Sequence, residues 1–74
     1  MTKEEFLQQK EEILLRLEQG YFLKLSETRP TQCKLIDGAN NPIYYYSIRI
    51  LNNLIDEKLI VNLGGKFILK TQNV

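Results

Sequence analysis

The chain has 74 residues, a net charge of +1, no histidine and one cysteine, Cys33. These numbers exclude a disulfide framework, argue against a four-ligand zinc site, and allow one small core burying about 60% of the unfolded chain's surface. No apolar run approaches the ~20 residues that span a bilayer, and Thr2-Lys3-Glu4-Glu5 is no signal-peptide start, so residues 1–74 read as one soluble, cytoplasmic domain without membrane, metal or cofactor.

The first element is a helix. Thr2 and Glu5 have capping-box spacing, in which each side chain satisfies the other's free backbone N–H. Phe6, Lys10, Ile13 and Leu17, flanked by Leu7 and Leu14, share one face, with Leu15 opposite as a second contact surface or an exposed stray. Gly20 suits the left-handed stop. Residues 21–25 and 32–36 read as strands, separated by the turn-rich stretch around Pro30, which has no ladder N–H. Asp37-Gly38-Ala39-Asn40-Asn41-Pro42 is a further turn, and residues 43–46 return as a third strand.

Ser47 can cap a second helix, with Ile48, Leu51, Leu54 and Ile55 as its apolar stripe and Arg49, Asn52, Asn53, Asp56 and Glu57 outward; Ile50 falls between the two faces. Residues 59–63 and 66–70 flank Gly64-Gly65, a pair able to supply the positive φ angles of a type I′ hairpin turn. Residues 71–74 read as a frayed tail. The expected fold is therefore α+β: an N-terminal helix, short antiparallel strands, a second helix and a C-terminal β-hairpin. Propensity leaves open whether the strands form one sheet or two, and whether strand 21–25 pairs with the meander or with the hairpin.

The inventory of reactive groups argues against an enzyme. Histidine, the commonest acid–base group, is absent, and Ser26, Ser47 and Cys33 have no candidate base except carboxylates suited to solvent. Gly64-Gly65 precedes a strand, whereas a phosphate-cradling glycine loop opens a helix. Cys33 alternates with Leu35 toward the core and reads as a small buried hydrophobe rather than a redox thiol. In Tyr44-Tyr45-Tyr46, Tyr44 and Tyr46 point to one face and Tyr45 to the other, so one face offers rings for stacking or simply covers the junction into the second helix.

Charge is uneven along the chain. Residues 1–20 carry five acids against three bases, while the remainder carries seven bases against four acids. An anionic partner would meet the second part. Within it, residues 47–58 followed by Ile60-Val61-Asn62-Leu63-Gly64-Gly65-Lys66-Phe67-Ile68-Leu69 resemble the recognition helix and wing of a winged-helix domain, over residues 47–70. The resemblance implies base-facing Arg49, Asn52 and Asn53 with Lys66 on the wing. Lys70 joins this contact set, and Lys34 is a possible addition. The leading expectation is a small nucleic-acid-binding protein. The alternative is a protein-binding adaptor or inhibitor of the kind phages and mobile elements encode, or a homodimer, with Leu15, Tyr44 and Tyr46 as contacts. A small-molecule binder ranks last, because so small a core has little room for a pocket.

Overall fold

A computed structural model describes residues 2–70. Its order is α1 (Lys3–Glu18), β1 (Phe22–Leu25), β2 (Gln32–Ile36), β3 (Pro42–Ser47), α2 (Ile48–Asp56), β4 (Ile60–Leu63) and β5 (Lys66–Leu69), an α+β fold with one five-stranded sheet. The tail at 71–74, expected to fray, lies outside the described residues.

Local chemistry sets the helix ends. Thr2 Oγ1 accepts the Glu5 N–H at 3.2 Å. At the other end Gly20 takes φ +96°, and the N–H groups of Gly20 and Tyr21 donate to the carbonyls of Leu17 and Arg16, a Schellman closure. Ser47 Oγ accepts the Arg49 N–H at 3.2 Å and starts α2. Its end repeats the Schellman pattern, Lys58 and Leu59 donating to Ile55 and Leu54, but the left-handed residue is Lys58 at φ +59° rather than a glycine.

The strand order is β3-β2-β1-β5-β4, antiparallel throughout. The choice left open by propensity resolves both ways: β1 is central and pairs with the meander on one side and the hairpin on the other. Leu23, with no exposure, faces Leu35 on β2 and Phe67 on β5. Gly64 and Gly65 take φ +62° and +91°, as the expected hairpin turn requires. Pro42, lacking a donor, opens β3 at the sheet edge, and the register shifts between Leu35 and Ile36.

Both helices pack on one face of this sheet. Ile13 and Leu17 of α1 and Ile50, Leu51 and Leu54 of α2 meet Leu23, Cys33, Leu35, Tyr46, Ile60 and Phe67. Several helix positions, Asn53 among them, differ from the sequence reading. Ile50 is fully buried while Ile55 is 41% exposed, because the buried side of α2 is rotated toward Ile50 and Leu54. Leu7 is exposed, since the sheet lies under the later turns of α1.

A candidate nucleic-acid interface on the open sheet face

Alternation along each strand sends every second residue away from the helices. With Leu23, Cys33, Leu35, Tyr46 and Phe67 in the core, their neighbours Phe22, Lys24, Lys34, Tyr45 and Lys66 stand on the opposite face. Cross-strand register aligns them. Tyr45 is directly opposite Lys34, and Lys34 is directly opposite Lys24. One step along the ladder from Leu23↔Phe67, Lys24 comes beside Lys66. A tyrosine and three lysines thus form one row across four strands, with neighbours about 4.8 Å apart.

No strand contains an acidic residue. Among the described residues none of these lysines belongs to an ion pair; the one salt bridge joins Lys10 of α1 to Glu57 at the end of α2. Two aromatic rings flank the row. Arg29, on the β1–β2 turn, places its guanidinium carbon 4.5 Å from the Tyr45 ring centroid, and Lys66 Nζ lies 4.8 Å from that of Phe22. The turn holds Arg29 in place: its N–H donates to Ser26 Oγ at 3.1 Å, and its carbonyl accepts the Gln32 N–H at 3.0 Å. Ile36 is buried yet outside the helix-side core, and it pairs with Phe22 alongside the charged row.

The residues named from sequence are divided between two surfaces. Lys34 and Lys66 lie on the open face. Arg49 and Asn52 are exposed on α2, across the sheet from them, and Asn53 is half-buried, with its Oδ1 buried and unpaired among the described residues. Lys70 is exposed just past β5, its N–H donating to the Leu59 carbonyl at 3.0 Å. The helix-and-wing set therefore does not converge on one surface. Of the protein-contact set, Leu15 and Tyr44 are 54% and 56% exposed. Tyr46 is corrected to a core residue at 3% exposure, its ring centroid 4.7 Å from that of Tyr44. Burial, and then the adjacent Glu12 carboxylate, push its phenol up to about 12.

Sequence reading did not single out Phe22, Lys24, Arg29 and Tyr45, which the fold gathers on this face. A signal was present. Lys24 and Lys34 each sit between two apolar residues, as Leu23-Lys24-Leu25 and Cys33-Lys34-Leu35, the pattern of a cation opposite a core position. Compared with protein-family models, with curated proteins and with solved structures, the chain matches none.

Proposed function

We propose that the chain is a non-enzymatic, cytoplasmic module that binds nucleic acid through the open face of its sheet. The observation that carries this reading is the row Lys34, Lys24, Lys66, three like charges in cross-strand register with no acidic residue on any strand. Like charges directly opposite one another destabilise a sheet, by up to about 1 kcal/mol per pair. A polyanion reverses that sign, because each phosphate met by a lysine releases condensed counterions. Arg29 adds a fourth cation at the row's aromatic end.

The winged-helix resemblance of residues 47–70 makes the outer side of α2 the competing surface. Fluorescence anisotropy with a labelled oligonucleotide at low salt separates the two. Lys24→Gln/Lys34→Gln should weaken binding at least tenfold, while Arg49→Ala/Asn52→Ala leaves it within twofold. The reverse pattern would move the interface to α2. No binding by the unmodified protein would sink the nucleic-acid reading and leave protein contacts through Leu15 and Tyr44 to pursue.

A further inference from the structure

Resting on that reading, we infer that the ligand is single-stranded and that Phe22 and Tyr45 are the platforms on which two of its bases stack. Both rings are on the open face, Tyr45 at one end of the lysine row and Phe22 alongside its interior. Tyr45 ends the row on β3, and Phe22 lies two residues from Lys24 on β1. Each ring already has a cation over it, Arg29 at 4.5 Å and Lys66 at 4.8 Å, so each π-face is reachable from the open side. A cation over an exposed ring is a weaker contact than a base stacked on it. An arriving base displaces the cation, and the freed guanidinium or ammonium group turns to a phosphate.

Spacing selects the class of strand. Two strand separations of about 4.8 Å and a two-residue offset at about 3.4 Å per residue put the platforms roughly 12 Å apart. Neighbouring bases stacked in a helix rise only about 3.4 Å. The two rings therefore take bases from an unstacked, extended strand, with Lys34 and Lys24 beside the path of the phosphates that join them. A duplex keeps its bases paired and stacked inside, out of reach of side chains on a flat sheet.

The test uses the full chain and three labelled probes of equal length: single-stranded oligothymidine, the same backbone with abasic sites, and a blunt duplex. Oligothymidine should bind roughly tenfold or more tighter than the abasic strand, and tighter than the duplex. Phe22→Leu and Tyr45→Leu, which keep apolar bulk, should each cost roughly tenfold on oligothymidine and little on the abasic strand. Tyr45→Phe should bind like the unmodified protein, because the ring and not the hydroxyl is used. Equal affinity for oligothymidine and the abasic strand would overturn base stacking and leave phosphate binding intact. No binding of any probe at low salt would remove the phosphate reading and this inference together.

Discussion

Replacing Lys24 and Lys34 by glutamine should reduce the salt sensitivity of binding by an amount that the face itself fixes. Lys24, Lys34, Lys66 and Arg29 give the open face four cations able to meet phosphates. At about 0.7 per phosphate for a single strand, the slope of log affinity against log salt is about −2.8 for the unmodified protein and about −1.4 for the double variant. Between 50 and 200 mM salt this corresponds to a loss of roughly 50-fold against roughly sevenfold. Anisotropy titrations at four salt concentrations give both slopes, and circular dichroism checks that the variant keeps its fold. A variant that binds more weakly at every salt but with an unchanged slope would refute the reasoning, because the lysines would then act on the fold and not on phosphates. A matching fall in slope from Arg49→Ala would refute it too.

Stability has its own tests. Burial pushes the Cys33 thiol from 9.0 up to about 11 and the Tyr46 phenol from 10.0 up to about 12, so the fold keeps both protons where the unfolded chain has begun to lose them. Their contribution is full below about pH 9 and is lost as pH rises toward 11 and beyond; urea titrations at pH 8 and 10.5 should differ, and Cys33→Ala should flatten the first part of the decline. Lys58, held at φ +59° at the end of α2, should gain about 0.5–1 kcal/mol when replaced by glycine, whereas Gly65→Ala at φ +91° should lose at least that much despite open space around it. Lys24→Thr should raise the urea midpoint by relieving the like-charge pair with Lys34 while weakening oligonucleotide binding; a lower midpoint would show that the row does not strain the sheet.

What could be read from sequence was local. The N-cap at Thr2, the stop at Gly20 and the paired glycines of the hairpin each act within a few residues, and all three appear where the chemistry placed them. Strand order depends on pairing between distant segments, so the central place of β1 was out of reach of propensity. The buried face of α2 was misjudged because Ile48, Ile50, Leu51, Leu54 and Ile55 form an apolar arc wider than the contact, with Ile50 and Ile55 at its two edges, and only the sheet beneath selects Ile50 over Ile55. The lysine row was hidden for the same reason. Lys24, Lys34 and Lys66 are far apart along the chain, and only cross-strand register brings them into one row. Tyrosine drew attention by its repeat at 44–46, but the ring set against the lysines is the middle one, and its partner platform is a phenylalanine 23 positions earlier.

A bland account of the lysine row is that it keeps an uncovered sheet face in solution. That face also carries Phe22, Val61, Leu63 and Ile68, and an uncovered apolar patch of this kind invites association. Solubility alone, however, asks for charge of either sign, and lysine opposite glutamate would supply it while stabilising the sheet. The chain has nine acidic residues and puts none of them on a strand; five lie on α1 instead. A domain this small has only about 5–15 kcal/mol of net stability, so repeated like-charge pairs across its central strands are a measurable cost. Solubility leaves that choice of sign unaccounted for, and an anionic ligand accounts for it. The two rings beside the row narrow the anion further. A protein or membrane surface would be met by the charge alone, whereas two cation-covered aromatics beside a row of lysines suit a ligand with alternating charge and π-surface, the chemistry of the nucleic-acid strand proposed above.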